Sequence, residues 1–575
     1  MSELAIGRPI RIGNCSGFYG DRLSAMREML EGGELDVLTG DYLAELTMLI
    51  LGRDQLRDPS LGYARTFVRQ AEDCLGLVVE RGVRIVSNAG GLNPQSLAER
   101  LSEIATGLGL SPVIAWVGGD NLLPRAARLG WDDSLTANAY LGGFGIAAAL
   151  RAGADVVVTG RGTDASLVVG PAVHHFGWSP TSYDELAGAV AVGHILECGT
   201  QAPGGNFSGF LDLPRDGTPL GFPLAEVAAD GSAIITKHNG TGGIVSVDTV
   251  TAQLLYEVQS SRYLGPDVTL DLSSVDLADA GADRVRVSGA LGEPPPARLK
   301  VCLNELGGWR NQTELVLAGM DIDAKADWVR SQLDARLQPR PASVEWTLGR
   351  LPEEDAATEE AASCLFRCTV KDPAAEVVGK GFSAAVVELA LASYPGFTLT
   401  APPRAGTPYG IYRAEYVERD QVIEEVHVLG RTEVVTVAAP KRTVDPPSTA
   451  PETVWGAAFD GPTRRVPLGT FVYARSGDKG GNANLGLWVR QGPRWQARVD
   501  WLLGLVTPDR VRDLVPEARP LEVEVYPLPN LGGVNVLMRG LLGEGVAAST
   551  RFDPHAKALG EWVRSRLVDV PEELL

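Results

Sequence analysis

Cysteine is scarce in this chain, which carries six cysteines among 575 residues. They are too few and too scattered for the disulfide framework that holds small secreted domains together. The closest two, Cys364 and Cys368, lie in a segment patterned as a strand, and no second pair is placed to complete a tetrahedral zinc site. We therefore expect neither disulfide bonds nor structural zinc.

Long apolar runs and an excess of positive charge are also missing. No stretch approaches the roughly 20 apolar residues that a membrane-spanning helix needs, and the amino terminus lacks a basic segment followed by an apolar one. The 52 basic residues are outnumbered by 72 acidic residues, and a net charge of −20 repels nucleic acid and anionic membranes. We expect a cytoplasmic protein that binds neither of them.

Glycine, in contrast, is abundant. The chain has 67 glycines in 575 residues, which is above the usual share of about 7% and predicts many tight loops. The length exceeds that of one typical core, since domains commonly contain about 100 to 200 residues. We therefore expect two or three glycine-rich domains.

Five short apolar runs in the first 165 residues each end in glycine with small polar or acidic residues, and helical patterns lie between them. The runs are Pro9 to Ile12, Leu35 to Leu38, Val83 to Val86, Val113 to Val117 and Val156 to Val158. Alternating buried strands and helices predict a parallel sheet covered by helices, and we favour an open sheet over a barrel. Ligands of such sheets lie beyond the carboxyl ends of the strands, so the five loops should converge on one site.

The pattern changes along the chain and predicts its domains. Residues 8–282 have the parallel α/β pattern with glycine-rich loops, and residues 283–440 alternate strands and helices as an α+β region. Residues 441–465 are rich in proline, threonine and alanine and are predicted to be a linker. Residues 466–575 form a small two-layer α/β module.

Two kinds of candidate catalytic residue stand in these loops. Cys15 precedes a helix expected to begin near Asp21, where the helix dipole and free amides would lower the thiol pKa, or else it is a small residue buried in a tight loop. Asp41, Asp120 and Asp164 each follow glycine closely at a strand end. They are suited to act as acid and base, to hold a divalent cation, or to cap the following helices.

His238 is the strongest general-base candidate among the six histidines, because Lys237, Glu197 and Cys198 lie within about 40 residues of it and complete a set suited to proton transfer. The alternative is a histidine that only makes structural hydrogen bonds in a turn.

Residues suited to bind an anionic substrate are spread over the same loops and the carboxy-terminal module. Arg161 and its glycine neighbours can hold a phosphate or carboxylate through the guanidinium and backbone amides, yet this loop matches neither the Walker spacing nor a dinucleotide fingerprint. The 475–482 segment is either an anion-binding nest or a turn of solvated charges. The predicted binding residues are Asn14, Asn88, Arg161, Asn206, Lys237, Arg475, Ser476, Lys479 and Asn482.

Five motifs together resemble the acyclic terpene utilisation protein A family. They are Gly13 to Asp21, Thr39 to Glu45, Gly160 to Asp164, Gly204 to Phe207 and Arg475 to Asn484. The resemblance covers nearly the whole chain. It implies a large amino-terminal domain over about residues 8–440 and a ferredoxin-like domain over about residues 466–575.

The resemblance also implies a substrate and a reaction. Family members are associated with bacterial citronellol and geraniol breakdown beside a biotin-dependent acyl-CoA carboxylase and an enoyl-CoA hydratase, which implies a coenzyme A thioester as substrate. One role proposed for the family is the retro-aldol cleavage of 3-hydroxy-3-isohexenylglutaryl-CoA to an oxo acyl-CoA and acetate. The resemblance brings no established list of catalytic residues.

Such a cleavage needs a base for the tertiary hydroxyl and a group that stabilises the enolate. His238 or Asp164 would be the base. The glycine-loop amides, Arg161, or Mg²⁺ or Mn²⁺ held by Asp41 and Asp120 would receive the developing charge.

Two alternatives stay open. One is hydration or dehydration of an unsaturated acyl-CoA, and the other is a non-catalytic acyl-CoA-binding subunit of the carboxylase assembly. Under each of them we expect a homo-oligomer, since apolar surface left outside the cores is commonly covered by subunit contacts.

Overall fold

The computed structural model describes residues 7–445, 459 and 461–575. Its residues fall into two compact units. The first unit contains the described residues of Met1–Asn304, Tyr412–Val546 and His555–Leu575, and the second contains Glu305–Ile411 and Ala547–Pro554. Of the predicted linker, 441–465, residues 446–458 and 460 lie outside the described residues, and its last three residues already belong to a strand, Thr463–Pro467.

The strands up to residue 297 are β1 (Ile10–Asn14), β2 (Val37–Gly40), β3 (Arg84–Ser87), β4 (Ile114–Gly118), β5 (Ser134–Ala139), β6 (Val156–Thr159), β7 (Pro223–Val227), β8 (Ala233–Lys237), β9 (Arg262–Leu264), β10 (Thr269–Asp271), β11 (Asp276–Asp279), β12 (Val285–Ser288) and β13 (Leu291–Glu293). The helices of this part are α1 (Ala25–Gly32), α2 (Glu45–Arg57), α3 (Arg65–Arg81), α4 (Pro94–Gly107), α5 (Phe144–Arg151), α6 (Ser166–Phe176), α7 (Tyr183–Leu196) and α8 (Val247–Leu254).

The later strands are β14 (Arg298–Ala318), β15 (Ser343–Leu348), β16 (Ser363–Asp372), β17 (Thr398–Leu399), β18 (Thr407–Glu418), β19 (Glu425–Val428), β20 (Val434–Thr436), β21 (Thr463–Pro467), β22 (Val472–Lys479), β23 (Asn482–Val489), β24 (Val523–Leu528), β25 (Gly533–Met538) and β26 (Leu567–Pro571). The later helices are α9 (Ile322–Arg336), α10 (Ala375–Val378), α11 (Lys380–Val387), α12 (Trp495–Leu505), α13 (Pro508–Leu514) and α14 (Leu559–Ser565).

The main sheet of the first unit confirms the predicted α/β fold class. In the described part of the chain its order is β11-β12-β8-β7-β1-β2-β3-β6-β4-β19-β20. The five predicted apolar runs form β1, β2, β3, β6 and β4, which lie side by side and parallel. These runs are continuously apolar because helices cover both faces of the sheet.

The carboxyl ends of the parallel strands lie level with one another. Asn14 pairs with Thr39, Gly40 pairs with Ser87, and Val117 pairs with Thr159. The loops that follow these strands therefore leave the sheet along one edge, as parallel strands in register require.

Antiparallel strands extend the sheet on both sides, which the sequence did not predict. Strand β7 runs antiparallel to β1 and to β8, and β19 runs antiparallel to β4. The β7–β8 connection is a tight turn in which the Ala228 amide donates to the Ser232 carbonyl. A connection this short can join only antiparallel neighbours, because a parallel pair needs a crossover of a dozen or more residues.

Helix α1 corrects a predicted boundary. The helix was expected to begin near Asp21, but it begins at Ala25. The Asp21 carboxylate instead accepts hydrogen bonds from the Gly17 and Arg22 amides. Asp21 therefore ties the loop together before the helix begins, since short acidic side chains readily bond to nearby backbone amides.

The carboxy-terminal module is a four-stranded antiparallel sheet in the order β22-β23-β25-β24. Strand β22 continues to Lys479, and Gly480 and Gly481 alone separate it from β23. The predicted 475–482 turn is therefore mostly strand. The pairing of Arg475 with Gly486 and of Lys479 with Asn482 holds these residues in a fixed register.

Strands of the second unit pair in the order β15-β16-β14-β17. Phe366 and Phe382 lie in its core together with residues of α9 and α11. Cys364 and Cys368 are free thiols buried in this same core. Both cysteines therefore serve as small apolar core residues. No helix in the described part of either unit is long and apolar enough to cross a membrane.

We predict that Ile12→Ala lowers the free energy of unfolding by about 2–5 kcal/mol, because the removed atoms leave a cavity at the centre of the main sheet. Ile12 is 0% exposed. The measurement is urea unfolding followed by circular dichroism. Leu56→Ala is the control, since Leu56 is 74% exposed and its truncation should change stability by no more than about 0.5 kcal/mol. Equal effects of the two substitutions would contradict the buried position of β1.

Candidate functional site

Asp41 and Asn88 meet where β2 and β3 end. The Asn88 side-chain amide donates to Asp41 Oδ1 over 2.6 Å, and the Leu43 amide donates to the same oxygen over 3.0 Å. Asn88 Oδ1 accepts from the Tyr42 amide over 2.9 Å. Burial raises the pKa of Asp41 well above its usual value, and the nearby Asp164 carboxylate adds to this effect.

Asp120 fastens two further loops to each other. Its Oδ2 atom accepts hydrogen bonds from the Asn138 side chain over 2.7 Å and from the Arg161 amide over 2.9 Å. Burial raises the pKa of Asp120 to about 6, although these hydrogen bonds oppose the shift. A Cβ atom at Gly160 would collide with the Asp120 carboxylate, so glycine is required there for the loops to meet.

Arg161 lies at the centre of this edge. Its side chain is 3% exposed, its Nη1 atom is 2.9 Å from Asp164 Oδ1, and its guanidinium stacks 4.4 Å from the centre of the Tyr140 ring. Its Nε atom is buried and has no hydrogen-bond partner among the described residues. The Asp164 side chain is 26% exposed and therefore reaches water beside this buried cation.

Glu45 and Lys300 form a second oppositely charged pair. Glu45 is the first residue of α2, and its Oε1 atom is 3.7 Å from Lys300 Nζ on β14. The Tyr140 hydroxyl donates to the same carboxylate over 3.3 Å. Burial raises the pKa of Glu45, but Lys300, Arg161 and Lys479 outweigh it and lower this pKa to about 2. The Glu45 and Lys300 side chains are each 24% exposed, so water reaches both of them.

Lys479, the last residue of β22, brings a third cation from the carboxy-terminal module. Burial lowers the pKa of its ammonium group, but Glu257, Glu45, Glu197 and Asp164 together raise it above the usual value. Among the described residues, no carboxylate lies within 4.0 Å of Lys479 Nζ and no acceptor hydrogen-bonds to it. The ammonium group is therefore attracted by several carboxylates and bonded directly to none of them.

Glu257 is held in a left-handed backbone conformation with φ of 56°, which is uncommon for a residue with a side chain. Its amide donates to Asn484 Oδ1 over 2.8 Å. Asn484 donates to Asn535, and the Asn535 side chain donates to the Val258 carbonyl over 3.2 Å. Two buried asparagines of the carboxy-terminal sheet thus fix the backbone of Glu257. Burial, together with the Asp478 charge, raises the pKa of Glu257 to about 7.

Glu197 and His194 form a buried hydrogen-bonded pair. His194 Nδ1 lies 3.0 Å from Glu197 Oε1, and both side chains are almost fully buried. Burial raises the pKa of Glu197 well above its usual value and lowers the pKa of His194 to about 4. Burial disfavours the charged form of both groups, and the hydrogen bond gives each buried ring nitrogen or carboxyl oxygen at this contact a partner.

We call Glu45, Asp164, Glu197, Glu257, Arg161, Lys300 and Lys479 the charged cluster. Glycine allows the carboxy-terminal hairpin to approach this cluster closely. A Cβ atom at Gly477 would collide with the Tyr256 ring, and one at Gly486 would collide with Leu255. Both contacts adjoin Glu257, so the two glycines let β22 and β23 pack directly against the segment that carries it.

Cys15 does not have the predicted activated thiol. Its side chain is buried in an apolar cluster with Met26 and Phe67. Burial raises the pKa of the thiol, and the Asp21 carboxylate raises it further. The predicted lowering is wrong because α1 begins ten residues after Cys15 and apolar side chains surround the sulfur. Cys15 thus fits the alternative of a small buried residue.

Lys237 and His238 lie in structural contacts. Lys237 Nζ donates to the Thr241 carbonyl over 2.8 Å and pairs with Asp283 over 3.2 Å. His238 Nε2 lies 3.0 Å from the Met29 carbonyl, and burial lowers the pKa of its imidazole. Arg11 is the charged group that acts on His238, and no residue of the charged cluster does so. The structure therefore favours the structural alternative for His238.

The remaining predicted binding residues mostly shape loops and strands. Asn14 accepts from the Ser16 amide, Ser476 from the Gly560 amide and Asn482 from the Gly540 amide. Asn206 is exposed in a left-handed turn with φ of 57°. The Arg475 guanidinium stacks 4.1 Å from the Tyr256 ring and bonds to Gln201, so Arg475 adds to the contacts around the Glu257 segment.

Four members of the charged cluster were not predicted as site residues, and Glu197 was named only as a companion of His238 in a set suited to proton transfer. Glu45 is the last residue of the family-like motif Thr39 to Glu45, and its place in that motif could have identified it as a site residue. Glu257 lies just after the end of α8 and Lys300 lies on β14, and neither belongs to a glycine-rich loop or a motif recognised in the sequence. Their proximity to the site depends on long-range packing, which sequence periodicity does not report.

The residues present do not fit the predicted divalent cation. Within the described ranges, no group of three or more His, Cys, Asp or Glu side chains is arranged to hold a metal ion. The Asp41 and Asp120 carboxylates already accept hydrogen bonds from protein N–H groups, and the positive charge of Arg161 acts on both. We therefore assign no step to a metal.

A second pair of carboxyl groups, Glu424 and Asp267, lies near the start of α5. Asp267 Oδ2 accepts from the Gly143 amide over 2.7 Å. Burial raises the pKa of Glu424 to about 8, with a further contribution from the Asp267 charge, and burial raises the pKa of Asp267 to about 6. Glu424 Oε1 has no hydrogen-bond partner within the described residues.

Comparison with known families agrees with the motifs. The model of the acyclic terpene utilisation family protein AtuA matches residues 10–428, and the model of the AtuA ferredoxin-like domain matches residues 466–569. No curated protein matches the chain. The family interpretation drawn from the sequence motifs is thus confirmed, as is the ferredoxin-like carboxy-terminal domain.

We predict that Glu424→Gln raises the free energy of unfolding, relative to wild type, by more at pH 8 than at pH 5. The folded state retains the Glu424 proton up to about pH 8, whereas an unfolded glutamate releases it near pH 4.5. Wild-type stability is therefore lost as the pH rises between these values. The neutral amide removes this loss, and we expect a relative gain of about 2 kcal/mol, reduced from the full shift by residual solvent exposure.

Urea unfolding of both proteins at pH 5, 6, 7 and 8 measures this difference. Asp500→Asn is the control, because it removes the same charge from a residue of α12 that makes a surface hydrogen bond with Gln496. A difference between Glu424→Gln and wild type that is constant over this pH range would contradict the raised pKa of Glu424.

Proposed function

Because the chain belongs to the acyclic terpene utilisation family AtuA, we propose that it is an acyl-CoA-processing enzyme whose charged cluster catalyses carbon–carbon cleavage. Family membership indicates a role in terpene utilisation. The proposed reaction is the retro-aldol cleavage of a branched 3-hydroxyglutaryl-CoA-type thioester.

The observation that carries this proposal is that carboxyl groups with very different pKa values surround Lys479, which has no direct carboxylate partner among the described residues. Glu45 has a pKa of about 2, whereas Glu257 has a pKa of about 7, and Lys479 interacts with both. Carboxyl groups whose environments separate their pKa values are suited to distinct roles in one site. Glu257 can exchange a proton near neutral pH, and Glu45 remains a fixed negative charge.

The bond changes of the proposed step balance without an oxidant, reductant or water. Glu257 takes the proton of the tertiary hydroxyl, and the C–O bond becomes a carbonyl. The bond from this carbon to the CH₂ of the free carboxylate arm breaks, and its electron pair moves onto that arm. Protonation of the CH₂ carbon by the Glu257 carboxylic acid then gives acetate and an oxo acyl-CoA.

The cations bind the leaving arm and stabilise the negative charge that develops on it. The leaving arm carries a carboxylate in the substrate and gains further negative charge as the bond breaks. Lys479 has no direct carboxylate partner, so it can bind the arm, and Lys300 and Arg161 add to the positive potential. Fixed positive charge at a partly buried site stabilises such a developing anion more strongly than water does.

Glu257 replaces the bases suggested by the sequence. His238 is separated electrostatically from the cluster, and the Asp164 carboxylate is paired with Arg161 at 2.9 Å. The Arg161 guanidinium therefore already occupies the Asp164 carboxylate. The carboxylase partner and the homo-oligomer expected from the sequence stay predictions.

We expect the purified protein to convert branched 3-hydroxyglutaryl-CoA thioesters into two carbon fragments, detected by mass spectrometry. Lys479→Met should reduce the cleavage rate by about 100-fold or more, because it removes the cation that binds the leaving arm. Lys380→Met is the matched control, since Lys380 is exposed in the second unit.

Each other result of this experiment has a definite meaning. A mass change of one water would select the hydratase or dehydratase alternative. Saturable binding with an unchanged thioester would select the non-catalytic subunit. Wild-type cleavage by Lys479→Met would show that the charged cluster is not the site.

We expect the rate of cleavage, measured as kcat/KM, to rise with pH through about 7, because Glu257 acts as a base only after it loses its proton. Glu257→Gln should lower the rate by about 100-fold or more and remove this dependence on pH. Circular dichroism of the variant would verify its fold. An unchanged pH profile in Glu257→Gln would assign the base to another residue.

A further inference from the structure

A cavity lies at the amino edge of the main sheet, opposite to the loops of the charged cluster. Its volume is about 180 Å³. The first residues of three parallel strands, Ile10, Val37 and Arg84, line it together with His174 and His175 near the end of α6. The cavity is therefore separated from the candidate active site by the length of the strands.

The lining of this cavity has more positive than negative charge. Arg8, Arg84 and Asp36 are the charged lining residues apart from the two histidines. Arg8 pairs with Asp36 through both guanidinium nitrogens, so these two charges offset each other. Among the described residues, no carboxylate lies within ion-pair distance of Arg84. The Arg84 charge is left without an anionic partner.

His174 accepts a hydrogen bond from Arg84 but does not neutralise its charge. Arg84 Nη1 lies 2.8 Å from His174 Nε2, and an arginine can only donate, so Nε2 is the acceptor. The ring proton of the neutral imidazole is then on Nδ1. Burial, together with the charges of Arg84 and Arg151, lowers the pKa of His174 to about 4, so the ring is neutral at physiological pH. Arg84 and His174 together carry one positive charge.

We propose that this cavity binds a small oxyanion, with the guanidinium of Arg84 as its anchor. A guanidinium presents paired N–H groups that match the oxygens of a phosphate or a carboxylate. One Arg84 nitrogen is used by His174, and within the described residues the guanidinium makes no other hydrogen bond that would compete with such a ligand. Inorganic phosphate and short-chain carboxylates share this chemistry, and the side chains of Ile10, Val37 and Leu150 add apolar wall that only a carboxylate with an alkyl chain can use.

Isothermal titration calorimetry of the full-length protein tests this proposal. Phosphate, acetate and butanoate are titrated separately in chloride buffer at constant ionic strength. We expect saturable binding of at least one anion with one site per chain. Tighter binding of butanoate than of acetate identifies a carboxylate with an alkyl chain as the ligand class, and tighter binding of phosphate identifies phosphate.

Arg84→Gln should weaken this binding by about tenfold or more, because it removes the anchoring charge. Arg128→Gln changes the net charge equally at an exposed position outside the cavity and should leave the binding unchanged. The absence of saturable binding in wild type would overturn the proposal. So would equal binding by wild type and Arg84→Gln, or a loss of binding that occurs in Lys479→Met but not in Arg84→Gln.

A crystal soaked in selenate provides a test that needs no variant. Selenate is an oxyanion that can be located by its anomalous scattering. A selenium peak within hydrogen-bond reach of the Arg84 guanidinium is the expected result. Anomalous density confined to the charged cluster or to the protein surface would overturn the proposal, even if Arg84→Gln fails to fold.

Discussion

The attraction between the Lys479 ammonium and the carboxylates around it is the interaction on which the candidate site depends. Four carboxylates, Glu257, Glu45, Glu197 and Asp164, raise the pKa of a lysine that burial alone would lower. Like charges placed together in a cleft disfavour ionisation, so these carboxylates in turn need the nearby cations. Removal of the cations would leave the carboxylates without a compensating charge in a partly buried site, and removal of the carboxylates would do the same to the cations. The large domain and the ferredoxin-like domain therefore each supply charge that the other requires.

Packing explains how the ferredoxin-like domain delivers this lysine. Gly477 and Gly486 let the β22–β23 hairpin approach the segment after α8, and Asn484 and Asn535 bond to the backbone at Glu257 and Val258. The hydrogen bond from Trp488 to Asp248, at 3.2 Å, holds the other end of the same strand. Buried polar groups are costly when unpaired, so this network strongly favours one position of the hairpin. Glu257 and Lys479 are thus placed by a single set of contacts.

The sequence predicted much of the fold and a part of the site. The five parallel strands were recognised because a buried strand has a continuous apolar pattern, and Asp164, Arg161 and Lys479 were recognised because glycine-rich loops surround them. The antiparallel extension by β7 and β19 was missed, since strand direction depends on which segments become neighbours. Glu257 and Lys300 were missed for a similar reason, because neither has a local pattern that distinguishes it from a surface charge.

The sequence by itself determined the alternation of strands and helices, the family, and the edge of the sheet at which the loops gather. These properties follow from short-range hydrophobic periodicity and from motifs that are complete within about ten residues. Tertiary structure alone decided which charged groups act together and which of them are neutral. Cys15 and His238 became structural residues, and Glu257 gained a pKa near 7, because desolvation and charge interactions depend on distances between segments far apart in the chain.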